Sequence, residues 1–186
     1  MFSFKKFKNQ KGAMFGLDAR VALAIFGGLS VIAGAAVFGT ISETRVTALI
    51  TEFDNVSKGY INYVFDTGVD TATFGDMLAD PGSPVVNWSG PYLTMASDDQ
   101  AVYGTYSFAE GLDSTSGTPS GTTCTALTIC YVWLQLDNVP TAIARLVDES
   151  IDGTDAGTTG NFRYVDSSGT AAVEFKISRC QDSPCI

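Results

Sequence analysis

The sequence predicts an α+β protein: a long N-terminal helix, apolar in its first half and amphipathic in its second, packed on a small antiparallel sheet. Two observations indicate this class. The stretch from Val21 to Ile41 carries no charge and is long enough to cross a bilayer as a helix. The later chain contains short runs of branched and aromatic residues, separated by Gly-rich turns, which are typical of strands. With 186 residues, the chain has room for one anchor helix and one modest domain.

The order of features before the apolar stretch is unusual. A leader with four lysines runs into the small pair Gly12-Ala13, and Asp18 and Arg20 follow. A secretory signal has its small-residue cut site after the apolar run, whereas here the small pair precedes it. A carboxylate at the start of a membrane-spanning segment raises the free energy of insertion unless it pairs with another group. Asp18 is therefore a candidate functional residue. Cleavage after the apolar run, as in an ordinary secretory signal, is the alternative.

This order of leader, small pair, acid and apolar run resembles the type III signal of type IV pilins and pseudopilins. The resemblance implies that a prepilin peptidase removes residues 1–13 by cutting between Ala13 and Met14, and that it can methylate Met14. Asp18 then stands at the fifth mature position. The family usually has Gly before the cut and Glu at the fifth position, where this chain has Ala13 and Asp18. Cutting after Gly12 is the alternative register, which places the acid one position late.

The pilin resemblance also implies a pilin-like fold and a role for the acid. The new N-terminal amine of one subunit pairs with Asp18 of its neighbour, because a paired buried charge is tolerable and an unpaired one is not. The implied protein is the structural subunit of a homo-oligomeric helical filament and not an enzyme. Its implied partners are the peptidase, an inner-membrane platform protein and a cytoplasmic assembly ATPase. It lies in the inner membrane before assembly and in an extracellular pilus afterwards.

The domain organisation follows from the hydrophobic pattern. Residues 14–65 form the long helix, with 14–41 as its membrane or filament-core part, and residues 66–186 form the head. In the second half of the helix, apolar residues recur at intervals of three and four and predict one face packed on the head: Val46, Leu49, Ile50, Phe53, Val56, Tyr60, Ile61 and Val64. In pilins part of this helix melts in the filament, and the Gly-rich run Gly27–Gly39 is the expected place.

The head is predicted to contain short elements of both kinds. Helices are expected over 71–79 and 139–150, the second with Pro140 in its first turn. Strands are expected over 100–110 and 130–136, and a hairpin pairs 160–165 with 171–178. Trp88, Pro91, Tyr92 and Leu93 resemble an element that follows the long helix in pseudopilin-like proteins, and we interpret them as packing residues.

Four cysteines predict two disulfides in an exported, oxidising compartment. Three connectivities are open. The spacing favours the local pairs Cys124 with Cys130 and Cys180 with Cys185. Neither pair has the CxxC spacing of zinc or thioredoxin-like sites.

Candidate chemistry is sparse. The chain has no histidine, which excludes histidine-based catalysis, and its net charge of −9 argues against nucleic-acid binding by a basic patch. An acidic loop over 148–155 could bind calcium, with Asp152 and Asp155 as first ligands. The alternative is a turn with solvated carboxylates. The sequence otherwise implies no cofactor.

Two other functions stay open. One is a pseudopilin of a type II secretion system, which a calcium site in the acidic loop would favour. The other is a membrane-anchored binding domain that never polymerises. The anchored domain predicts an uncut leader and tolerance of an Asp18→Ala substitution.

Overall fold

The computed structural model describes residues 11–71, 73–113 and 129–180. They form two α-helices, a short 3₁₀ helix and a five-stranded antiparallel sheet, which confirms the predicted α+β class. The chain divides into two compact units, Met1–Thr44 and Arg45–Ile186. The boundary between the units falls within the first helix.

The first helix, α1, spans Lys11–Thr67 without interruption. It therefore begins before the predicted cut between Ala13 and Met14 and ends two residues after the predicted Phe65. The Gly-rich run over 27–39 is helical in this single chain. Its melting is expected in the assembled filament and stays a prediction. From Arg45 onward, α1 belongs to the second unit.

The C-terminal part of α1 buries one face against the sheet. Most of the predicted apolar face is in the core, including Phe53, Val56 and Tyr60, which are fully buried. The prediction was wrong for Ile61, which is 46% exposed, and it omitted Tyr63, which is fully buried. Each residue turns a helix by about 100°, so Tyr63 returns to the face of Tyr60 while Ile61 points away from it.

The sheet consists of β1 (Asp99–Gln100), β2 (Gly104–Leu112), β3 (Cys130–Pro140), β4 (Phe162–Ser167) and β5 (Thr170–Arg179), in the spatial order β1-β2-β3-β5-β4. All neighbouring strands are antiparallel. The second helix, α2 (Thr141–Asp152), directly follows β3. The strand predicted over 100–110 begins only at Gly104, because the backbone turns where Tyr103 N–H donates to the Gln100 carbonyl.

The predicted closing hairpin is confirmed. The strands β4 and β5 pair from Phe162 with Phe175 to Ser167 with Thr170. Ser168 and Gly169 connect them with φ of 59° and 99°. Positive φ at both central residues suits the right-handed twist of a two-residue hairpin.

The connection between α1 and the sheet is largely irregular. The helix predicted over 71–79 is only the 3₁₀ helix Phe74–Met77. The packing interpretation of the segment after it holds for Leu93, which is buried, and for Trp88 and Tyr92, which are half-buried; Pro91 is exposed. A Cβ on Gly59 of α1 would collide with the Leu93 side chain. Glycine is therefore what lets this segment approach the helix backbone closely.

Candidate functional site

The first unit offers an uncovered apolar helix. Between Gly16 and Thr44, the described large apolar side chains are exposed by 42–76%: Leu17, Val21, Leu23, Ile25, Phe26, Leu29, Val31, Ile32, Val37 and Ile41. The helix contains a window with a mean hydropathy of 2.3 and is long and apolar enough to cross a membrane. A membrane anchor and a signal sequence share this property. Moving such a side chain out of water stabilises it by about 1.5–3 kcal/mol, so covering this surface with an apolar partner would be favourable.

Asp18 lies on this helix and is exposed. Its nearest large apolar neighbours along the chain, Leu17 and Val21, are 65% and 55% exposed. The carboxylate is thus placed among exposed apolar side chains on the surface of the helix. The predicted processing residues Ala13 and Met14 lie in the first turn of the same helix.

The acidic segment predicted as a loop over 148–155 is helical as far as Asp152, the last residue of α2, and the loop proper lies between α2 and β4. Asp152 organises this loop. Its Oδ1 accepts hydrogen bonds from Asn161 N–H at 3.0 Å and from Asn161 Nδ2 at 3.2 Å. Its Oδ2 accepts from Phe162 N–H at 2.8 Å. A Cβ on Gly160, which has a φ of +104°, would collide with this carboxylate. Asp152 therefore closes the loop and satisfies the outward-facing N–H at the start of the edge strand β4.

Asp155 binds protein donors from two elements. Its Oδ2 accepts from Arg145 Nε at 2.7 Å and its Oδ1 from the Tyr164 hydroxyl at 2.5 Å. These hydrogen bonds, first from Tyr164 and then from Arg145, lower the pKa of Asp155. Burial and the neighbouring carboxylate raise the pKa of Tyr164 to about 12. Asp155 thus links α2 to β4 across the loop.

A third carboxylate, Asp148, is fully buried on the inner side of the loop. Its Oδ2 accepts from Gly157 N–H at 2.8 Å. Burial raises its pKa, and the hydrogen bonds from Gly157 and Ala156 partly oppose that shift. Gly157 also accepts a hydrogen bond from Tyr164 N–H at 2.7 Å, which covers the free edge of β4. Sequence reasoning placed Asp148 in the acidic loop but did not identify its burial.

The two predicted calcium ligands both have protein partners in this structure. Asp152 and Asp155 face N–H and O–H donors of the protein, whereas a calcium ion needs several oxygen ligands converging on one point. Within the described residues, no group of three or more acidic, His or Cys side chains is arranged to hold a metal ion. In this structure the loop is a hydrogen-bonded clasp, and calcium binding by Asp152 and Asp155 stays a prediction.

We expect Asp152→Ala to destabilise the head. The substitution leaves the partly buried Phe162 N–H without its acceptor, which costs about 1–3 kcal/mol. For a chain of this size each kcal/mol lowers Tm by about 2–4 °C. Thermal unfolding of the full chain in detergent measures this. The matched control is Glu149→Ala, which removes an exposed carboxylate from the same helix. An equal effect of the two substitutions would contradict the clasp.

The described cysteines meet at one end of the sheet. Cys130 begins β3, and Cys180 follows β5 directly, with its N–H donating to the Cys130 carbonyl at 3.1 Å. Both are disulfide-bonded. Cys124 and Cys185 lie outside the described residues, so the predicted pairing stays a prediction.

A buried cluster on the second face of the sheet was not predicted from sequence. Trp133 is fully buried, and the Arg163 guanidinium lies 4.4 Å from the centre of its ring. Asp113 pairs with Arg163 at 3.2 Å and with Lys176 at 2.9 Å. These residues are distant in sequence and are brought together by the order of β3, β5 and β4, so no local pattern could reveal them. The cluster ties the end of β2 to the centre of the sheet.

Comparisons with known proteins add no identification. No family model, no curated protein and no solved structure matches this chain.

Proposed function

We propose that this protein is the structural subunit of a type IV pilus-like filament, assembled through its N-terminal helix. The single observation that carries the proposal is the exposed apolar helix with Asp18 on its surface. Several such helices packed together would remove their apolar side chains from water. The resemblance of the leader and small-residue pair to prepilins supports the same conclusion.

The physical role proposed for Asp18 is to set the register of assembly. In an apolar filament core, a lone carboxylate is strongly unfavourable, and a partner cation offsets that cost. Cleavage after Ala13 creates the amine of Met14 at the start of the same apolar segment. A neighbour whose amine meets Asp18 is then favoured over neighbours in other registers.

The glycines of the apolar helix suit this packing. A Cβ added to Gly27, Gly28, Gly34 or Gly39 would meet nothing within 4 Å. The helix backbone is therefore open at these points, and small residues allow close approach of neighbouring helices in apolar surroundings. In the proposed filament these positions lie in helix–helix contacts.

The head forms the outer surface in this proposal. Its fold is an ordinary packed core with disulfide-bonded cysteines, which suits survival outside the cell. The subunit resides in the inner membrane before assembly, where a prepilin peptidase, a platform protein and an assembly ATPase are the proposed partners.

The decisive experiment is the intact mass, with N-terminal sequencing, of protein sheared from the cell surface. We expect a chain that starts at Met14, carries one added methyl group and lacks the four hydrogens lost to two disulfides. This combination requires both processing and export.

Chains that begin at other residues would lead to different conclusions about the protein. A chain that starts at Ala13 would keep the filament but change the cleavage register. A chain that still starts at Met1, or that remains only in the membrane fraction, would overturn the filament and favour a non-polymerising anchored domain. A chain that starts after Val37 or Thr40 would identify an ordinary secretory signal.

A further inference from the structure

Two short segments have the acceptor pattern for asparagine-linked glycosylation, in which Asn is followed by any residue except Pro and then by Ser or Thr. They are Asn55-Val56-Ser57 and Asn87-Trp88-Ser89. A pattern this short also arises by chance, and modification requires that the segment lies in an accessible surface loop. The surroundings of the two segments therefore decide which of them can be an acceptor.

The first segment is held inside α1, which spans Lys11–Thr67. Asn55 is exposed, but Val56, between the acceptor and the hydroxyl residue, is fully buried in the core. A helix fixes the backbone of each residue through its i to i−4 hydrogen bonds. A transferase could engage this segment only by unwinding the helix and removing Val56 from the core. Asn55 is therefore a poor acceptor in the folded chain.

The second segment lies in the irregular connection between α1 and the sheet. Asn87 is exposed, and so are Val86 before it and Ser89 two residues after it. Trp88 is half-buried, and its Nε1 donates to the Asp76 carbonyl at 2.8 Å. This bond fixes the base of the loop while Asn87 stays exposed to solvent. Asn87 thus meets the requirement for an accessible loop that Asn55 does not meet.

The backbone of Asn87 has a φ of 61°, in the left-handed region. Asn adopts this conformation more readily than most residues, and Asp shares the preference. The backbone alone therefore gives a reason for Asn at this position. An Asp at the same position separates the backbone requirement from the role of the amide as an acceptor.

The hydroxyl of Ser89 supplies the third position of the pattern. Its Oγ donates to Asp66 Oδ2 at 2.5 Å, and its backbone N–H donates to the Tyr92 hydroxyl at 2.9 Å. Both hydrogen bonds are exposed to solvent, so a bound protein can replace either partner at small cost. The hydroxyl is therefore accessible to a transferase.

We propose that Asn87 is a site of asparagine-linked glycosylation and that Asn55 stays unmodified. The co-substrate class is an oligosaccharide joined through phosphate to a membrane lipid. The Nδ2 atom of Asn87 bonds to the anomeric carbon of the first sugar, and the bond from that carbon to the phosphate oxygen breaks. The lipid phosphate leaves with the bonding electrons, and the amide gives up one proton. The modification rests on the export of the head, which is part of the proposed function.

Peptide mapping by mass spectrometry tests this site on the full chain, purified from the cells that produce it. We expect the peptide with Asn87 to be heavier by one oligosaccharide, with fragmentation placing the added mass on Asn87. The peptide with Asn55 should have its unmodified mass. A glycan on Asn55, or none on Asn87, would overturn the proposal.

The N-terminal peptide of the same digest separates this site from the filament. A chain that starts at Met14 without a glycan would overturn only the modification site. A glycosylated chain that still starts at Met1 would overturn only the filament, because an anchored domain also exports its head.

Variants test the role of each position in the pattern. Asn87→Asp keeps a residue that adopts the left-handed backbone and should abolish the glycan. Ser89→Ala should abolish it and Ser89→Thr should retain it, because the pattern needs a hydroxyl. Asp66→Ala is the matched control, since it removes the hydrogen-bond partner of Ser89 but leaves the pattern intact, and it should keep the glycan. A glycan that persists in Ser89→Ala, or that is lost in Ser89→Thr or Asp66→Ala, would contradict the assignment.

Discussion

Replacing Asp18 by alanine is expected to abolish surface filaments and leave the protein in the membrane. In the proposed core the Met14 amine of a neighbour would then be buried without its partner, at a cost of about 3–5 kcal/mol. This corresponds to more than about a 100-fold loss in association between subunits. Electron microscopy of cells and immunoblots of sheared and membrane fractions measure both parts of the result.

Two controls separate assembly from folding. Asp18→Glu keeps the carboxylate and should retain filaments. Asp54→Ala removes an exposed carboxylate from the head part of α1 and should leave assembly unchanged. Wild-type numbers of filaments from Asp18→Ala cells would refute the role of Asp18 in assembly and favour the anchored domain.

Phe53→Ala is expected to be the most damaging single substitution in the head. Phe53 is fully buried, and its ring stacks on Phe175 at 5.6 Å and contacts Phe162 at 6.0 Å and Tyr106 at 6.3 Å. Removing a buried Phe side chain costs about 3–5 kcal/mol because of lost burial and the cavity left behind. The expected drop in Tm is on the order of 10 °C.

The measurement is thermal unfolding of the full chain, followed by circular dichroism. Leu146→Ala is the control, because Leu146 is an apolar residue of α2 that is 42% exposed. It should change Tm by only a few degrees. A small effect of Phe53→Ala would mean that the contact between α1 and the sheet contributes little to the stability of the head.

The amphipathic part of α1 shows how much of a buried helix face the hydrophobic pattern can predict. The recurrence at three and four residues correctly placed Phe53, Val56 and Tyr60 in the core. It misassigned Ile61, because apolar character alone does not say which side of a helix meets the sheet. It also missed Tyr63, which follows Tyr60 by three residues and lies on the same buried face. The pattern determines a helix and its period, but the exact borders of the buried face depend on the partner.

In the acidic loop, by contrast, the local sequence could not predict how the side chains are arranged. Its sequence indicated carboxylates close together, but it did not distinguish a metal site from a hydrogen-bonded turn. That choice depends on where Asn161, Tyr164 and Arg145 lie, since their donors occupy the oxygens of Asp152 and Asp155. Arg145 lies on the preceding helix, Asn161 at the end of the loop and Tyr164 on the following strand.

The sequence by itself determined the elements whose signal is local: the long helix, the strand that begins at Cys130, the second helix and the closing hairpin. Each follows from periodicity or turn chemistry within a few residues. The predicted second helix over 139–150 begins at Thr141, because β3 continues through Pro140. Only the tertiary structure decided the strand order, the Trp133 cluster with Arg163 and the clasped loop. These features join residues far apart in the chain, and their geometry depends on how whole elements pack.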